Sequence, residues 1–293
     1  MELDRAELKR RARERMALTD PKFWVVALAY LAMTIGVSWL ISLIPIPSGG
    51  GGFDLNMFFQ LLLTLYTTVV RFGLCLWALW TYRQLDPDVS ALTQGFSVAG
   101  RVILMRLGIF LRILGWVMLW YIPVVLLLWG GAGPGIGMLS LLIAMIGQVS
   151  TSIVLQLRYA LAPYLLADRP DDGPTIPILR SADLMRDWKW ELFKLEFSFF
   201  GWEVVNFVLS TGVTLFFLYQ AGLFTQEIFW NDEMLVQTFA VVYSAPVVIL
   251  STLVTVPVSL WLIPYRETAR AGFYDARLLA AAHEQDRPEM PPL

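Results

Sequence analysis

FKLEFSFFGWEVVNF (Phe193–Phe207) places two carboxylates, Glu196 and Glu203, in a stretch aromatic enough to be buried in protein or lipid. Whether it belongs to the core of a soluble globule or to a membrane span decides the fold. Composition answers the question. Of 293 residues 57% are hydrophobic, 14% aromatic and only 16% charged, which is too little polar surface to cover a water-soluble globule of this size. The stretch therefore reads as the start of a transmembrane helix.

Working outward from it, six apolar runs are long enough to cross roughly 30 Å of hydrocarbon at about 1.5 Å per helical residue. They are Phe23–Ile44, Phe58–Tyr82, Val102–Trp129, Met138–Leu166, Phe193–Tyr219 and Leu235–Tyr265. In the last, Pro246, Pro257 and Pro264 predict a tilted or kinked helix. Regular alternation of apolar and polar residues between short turns, the mark of a membrane barrel, is absent from the sequence. The expected fold class is all-α: a polytopic bundle of six transmembrane helices with amphipathic helices at the interface.

Lys and Arg gather in the N-terminal segment (Arg5 to Lys22), the second connection (Arg83, Arg101), the fourth (Arg169, Arg180, Arg186, Lys189, Lys194) and the tail (Arg266, Arg270, Arg277, Arg287). The first, third and fifth connections carry none. The positive-inside rule then predicts cytoplasmic termini in a plasma membrane. Three segments follow: a basic helix over residues 1–22, a six-span domain over 23–265, and a helix with a disordered tail over 266–293. The first is expected to be solvated near anionic headgroups. In the fourth connection Ile178, Ala182, Met185 and Leu192 share a face with Trp188 at its edge, and Tyr265, Ala269, Phe273, Ala276 and Ala280 repeat the pattern after span six.

Catalytic motifs do not emerge. The one histidine, His283, lies in the polar tail and the one cysteine, Cys75, in an apolar run, so neither a nucleophile–base pair nor a zinc cluster is expected. The glycine runs Gly49–Gly52 and Gly130–Gly137 lack the Lys-Ser/Thr of a phosphate loop and read as hairpin connections. No cofactor, metal or nucleic acid is expected. Membrane lipids are the expected partners, and the oligomeric state stays open.

Charge inside the spans is what remains. Arg71, Arg106, Arg112, Arg158, Glu196 and Glu203 lie within them, and a mid-bilayer charge costs about 2.5–3.5 kcal/mol on insertion scales. Counting from the basic end of each span puts Arg71, Arg112 and Glu203 about 15 Å deep, with Arg106, Arg158 and Glu196 shallower. Glu196, Glu203, Asn206, Ser210 and Thr214 share one face of span five. Two readings stay open: ion pairs that hold the bundle together, with Arg112 or Arg71 as the partner of Glu203, or a polar cavity that favours an anionic group.

RYALAPYLLADRP (Arg158–Pro170), PILRSADLMRDWKWELFKLEFSFFGW (Pro177–Trp202) and LWLIPYRETARAGFYDARL (Leu260–Leu278), in that order, resemble the domain-of-unknown-function 975 family of bacterial integral membrane proteins. RAELKRRARE and RFGLCLWAL nearer the N-terminus are similar too, so the likeness covers most of the chain. The chain departs from the family pattern at Asp187 and Val124, where the pattern has glycine. The resemblance implies a multi-pass bacterial membrane protein and brings no activity or functional residues with it. The expected function is non-enzymatic, a scaffold or a component of envelope homeostasis. The alternative is a transporter or channel for a small anionic solute or lipid headgroup.

Overall fold

A computed structural model describes residues 4–42, 55–131, 133–223 and 232–285. The glycine run Gly49–Gly52, the last residues of the first predicted span and the tail beyond Gln285 lie outside the described residues. The described residues are helices and turns without strand, and six helical stretches are long and apolar enough to cross a membrane. The chain is an all-α polytopic bundle.

In chain order the helices are α1 (Arg5–Ala17), α2 (Phe23–Leu31), which passes through a π turn into α3 (Val37–Ser42), α4 (Leu55–Arg83), α5 (Ala91–Gln94) and α6 (Ala99–Trp129). They continue with α7 (Pro134–Arg158), α8 (Ala162–Asp168), α9 (Ile176–Leu184), α10 (Lys189–Phe197), α11 (Phe200–Gln220), α12 (Asp232–Val242) and α13 (Ala245–Gln285). The 41-residue α13 is the axis of the bundle: α11, α4, α1 and α2 all pack against it, while α6 and α7 form a hairpin beside α4. In that hairpin the Trp120 indole N–H donates to Thr151 Oγ1 at 2.9 Å, Tyr121 bonds Gln148, and the ring of Trp120 lies against Gly147.

The sixth predicted span divides differently from its prolines. The helix breaks at Tyr243 and Ser244, between α12 and α13, and Pro246 then sits in the first turn of α13, where a missing N–H costs nothing. Pro257 and Pro264 lie inside α13 without ending it. The stripe expected of a separate helix after span six is instead a continuation of the same helix. Its Tyr265, Ala269 and Phe273 are buried in protein.

The core gathers at the end of the bundle that carries both α1 and the C-terminal half of α13, called here the terminal face. One cluster joins Leu8, Ala12 and Met16 of α1 to Trp77 and Ala78 of α4, Tyr164 of α8, Leu192 of α10 and Phe273 of α13. A second joins Phe72, Met105, Ile109, Tyr159 and Ile178. The far halves of the long helices are open: α11 buries none of its residues, and Trp116, Leu126, Phe207 and Phe216 stand exposed. Such apolar surface belongs against lipid.

Helix length explains this division. At about 1.5 Å per residue α4 and α6 reach roughly 43 and 46 Å, well beyond the roughly 30 Å of hydrocarbon. The excess lies at the terminal face, where Phe72–Leu79 of α4 and Val102, Met105 and Ile109 of α6 are covered by protein. α4 reads as one long span because its second half is apolar for packing.

α1 is where the expectation and the structure part most clearly. Asp4 caps it, its Oδ1 accepting from Ala6 N at 2.9 Å, and Glu7 holds Arg10 and Arg11 on the outer face. Those arginines hold the exposed Glu7 carboxyl down to about 2, so the triad stays charged and weakens only as pH falls toward that value. The opposite face is narrow, only Leu8, Ala12 and Met16, but all three are buried. We expect Ala12→Glu to release α1 from α13, read as rapid tryptic cleavage after Arg13 and Arg15 in the folded protein. Arg13→Gln, on the exposed face, should leave the helix docked.

Candidate functional site

Span five starts later than its aromatic run suggests. Ser198 and Phe199 form a turn between α10 and α11, so the membrane-length helix begins at Phe200 and Glu203 sits in its first turn. Counted from the far ends of their helices, Arg71, Arg112, Glu203 and Arg266 lie about 24–32 Å along, and Arg106 and Arg158 about 35 Å. These depths are those of the terminal-side boundary of a roughly 30 Å hydrocarbon layer. The charges that counting from the basic end puts at the midplane form a belt at the edge, where water and headgroups lower the cost of insertion.

Within that belt Glu203 meets neither Arg112 nor Arg71. Its carboxylate accepts from Arg266 at 2.9 Å. Arg266 also donates to Glu196 at 2.8 Å, Glu196 accepts from Arg270, and Arg270 donates to Glu267 at 2.8 Å. Glu267 completes the chain as a buried carboxylate, 7% exposed, which also accepts from the Tyr164 hydroxyl at 2.9 Å and from the Cys75 thiol at 3.8 Å. One continuous seam thus ties α4, α8, α10 and α11 to α13.

A second ion cluster continues it toward the chain end. Arg83, the last residue of α4, grips Asp168 of α8 through two bonds, the longer 2.9 Å, and Asp275 of α13 at 2.7 Å. Tyr274 donates to Asp168 at 2.8 Å and stacks on Tyr164 with ring centroids 5.6 Å apart, which joins the two clusters. Arg277 donates to the Leu184 carbonyl at 2.8 Å and lies over the Trp188 ring. Every turn of α13 from Arg266 to Arg277 therefore presents at least one charged or phenolic group to a neighbouring element.

α4 and α13 run parallel, since Cys75 meets Glu267 and Arg83 meets Asp275 at the same offset along the two helices. Close packing at this level needs glycine. A Cβ on Gly272 would enter the Tyr82 ring, and one on Gly73 would collide with the backbone of Leu92, which α5 lays across α4.

Of the residues the sequence singled out, Glu196 and Glu203 come together through Arg266. Arg71 and Arg106 lie within electrostatic range of Glu267 and Cys75 but, among the described residues, form no ion pair. Arg112 donates to the Gly108 carbonyl of its own helix at 3.0 Å, and Arg158 lies over its neighbour Tyr159. Asn206 is on the inward face of α11, and its side-chain oxygen is buried without a partner. Sequence reasoning missed Arg266, Glu267 and Arg270 as site residues, along with Tyr164 and Cys75. The available signal was their spacing: positions 266, 267 and 270 fall on adjoining faces of one helix that continues past the last apolar run.

The fourth connection packs as its stripe requires, with Ile178, Ala182, Met185 and Leu192 buried and Arg180, Asp183 and Asp187 exposed, but the cover is protein. Trp188 meets Phe273 edge-on at 6.3 Å.

No curated protein and no solved structure matches the chain. One family model, described as "Protein of unknown function (DUF975)", matches residues 1–280 and so takes in α1, five of the six membrane-length helices whole, α13 as far as residue 280, and both ion clusters. The chain belongs to the DUF975 family.

Proposed function

We propose that this protein is a non-enzymatic scaffold of a bacterial plasma membrane, with both termini in the cytoplasm and a rigid terminal face built around α13. The observation that carries the reading is the seam itself. Arginines of α13 hold Glu196 of α10 and Glu203 of α11, Arg83 of α4 is held by Asp168 of α8 and Asp275 of α13, and Glu267 of α13 accepts from Tyr164 of α8, so these groups fasten helices to one another. Lys and Arg concentrated at the same end support the orientation. Membrane lipids are the proposed partners.

A second reading, transport of a small anion, draws on Arg71 and Arg106 near the seam. Purified protein in liposomes separates the two. The scaffold reading predicts phosphate and chloride fluxes equal to those of protein-free liposomes. Saturable flux that disappears in Arg71→Gln/Arg106→Gln would replace the scaffold with a transporter. Orientation has its own test, because the only native cysteine is buried. A membrane-impermeant maleimide added outside intact cells is expected to label Gly133→Cys but not Glu14→Cys, and the reverse pattern would invert the topology.

A further inference from the structure

A cleft of about 460 Å³ opens on the outside of the bundle between α7 and the start of α10, away from the seam. Its walls are Ile153, Val154 and Leu157 of α7 with Trp190 and Phe193 of α10, and Arg186, Asp187 and Lys189 line it beside Trp188, which meets Phe273 and Arg277 on the terminal face. The volume lies within the roughly 300–1,000 Å³ of small-molecule sites.

Depth and chemistry together fix the kind of occupant. Leu157 lies beside Arg158 at the edge of the hydrocarbon layer, so the apolar wall from Ile153 to Leu157 runs inward along the last turns of the leaflet. The polar end is at headgroup level. Among the described residues neither Arg186 nor Lys189 has an ion pair, in contrast to Lys194, which is held by Glu191 at 2.5 Å. An apolar wall that ends in two uncommitted cations, against one carboxylate at Asp187, complements an amphiphile with an anionic head.

We propose that the cleft is a binding site for an anionic phospholipid of the terminal-side leaflet. One acyl chain lies against Ile153, Val154 and Phe193, with the phosphodiester between Arg186 and Lys189. The proposal rests on the membrane orientation argued above but not on the scaffold role.

The test is native mass spectrometry of the full-length protein in detergent, titrated with phosphatidylglycerol or with phosphatidylcholine of the same acyl chains. Phosphatidylglycerol should be retained about tenfold more strongly, the scale expected for two basic side chains partly offset by one carboxylate. Arg186→Gln/Lys189→Gln, which changes groups at the mouth of the cleft and not the core, should erase the preference while phosphatidylcholine still binds. Val154→Trp should fill the cleft and lower retention of both lipids, with an unchanged melting midpoint showing that the fold survives. Glycerol phosphate in excess should not displace the lipid, because the acyl wall supplies part of the affinity. Equal retention of the two lipids, a preference that survives the double substitution, or displacement by glycerol phosphate would each overturn the proposal. If the maleimide labelling holds and the lipid preference does not, the lipid site fails and the topology stands.

Discussion

Arg270→Gln is expected to cost about 3–5 kcal/mol of stability, the range for breaking a buried ion pair and leaving its partner uncompensated. Arg270 is held between Glu267 of its own helix, whose side chain is 9% exposed, and Glu196 of α10, whose side chain is 16% exposed. Removing the guanidinium leaves a buried carboxylate at Glu267 with only the Tyr164 hydroxyl and the Cys75 thiol as donors. Thermal unfolding in detergent should show a midpoint many degrees lower. Glu267→Gln in the same chain should recover part of the loss, because the uncompensated charge leaves with it. Glu203→Gln is the contrasting case: with nearly half its side chain exposed, Glu203 should be worth no more than about 1 kcal/mol.

The second large effect is steric. Gly73 lies under α5, and a Cβ there would come within 2.6 Å of the Leu92 Cα and 2.8 Å of its carbonyl carbon. Those atoms are backbone and cannot rotate aside as a side chain would. Gly73→Leu should therefore lift α5 from α4 at a cost of about 1–3 kcal/mol or more, the range for overpacking, with Leu92 and Ala91 losing their burial. Gly95, whose added Cβ would meet the Val69 carbonyl at 2.8 Å, should respond in the same direction. At Gly115 of α6 nothing lies within 4 Å, so Gly115→Ala should be neutral or stabilise by up to about 1 kcal/mol through helix propensity. Melting midpoints of the three variants in one detergent check the ordering.

How much of this was legible in the sequence differs between fold and site, for a physical reason. Hydrophobicity reports which segments avoid water, so six membrane-length helices and the amphipathic stripe of the fourth connection follow from it directly. It does not report whether an apolar stretch avoids water in lipid or in protein. The second half of α4, from Phe72 to Trp80, is as apolar as any span, yet it is covered by α1, α5, α8 and α13. That ambiguity moved the depth scale, and with it Arg71 and Arg112, toward the midplane. At the Phe193 stretch the aromatic run hid the turn at Ser198 and Phe199 that separates α10 from α11, and Glu203 moved from mid-span to first turn. α1 hides its buried face for a related reason: a face of Leu8, Ala12 and Met16 is too narrow to stand out among eight charges, yet two of the three side chains are small or flexible enough to let α13 approach closely.

Partner choice was beyond the sequence altogether. Glu203 has the right sign for Arg71, Arg112 or Arg266, and only the packing of α11 on α13 selects the last. The arginines that matter most, Arg266 and Arg270, looked like flanking charges because the final apolar run ends at Tyr265. They sit instead on an uninterrupted helix whose next three turns are a packing surface.

The charges of the seam fasten elements to α13, and Glu203 is committed there to Arg266 and not to Arg112. Double-mutant cycles on thermal or denaturant stability test it most directly, with Glu196/Arg270 as one pair and Glu203/Arg112 as the other, each neutralised to Gln. The structure predicts a coupling of about 1–3 kcal/mol for Glu196/Arg270 and a value within about 0.5 kcal/mol of zero for Glu203/Arg112. A strong Glu203/Arg112 coupling with none between Glu196 and Arg270 would contradict it.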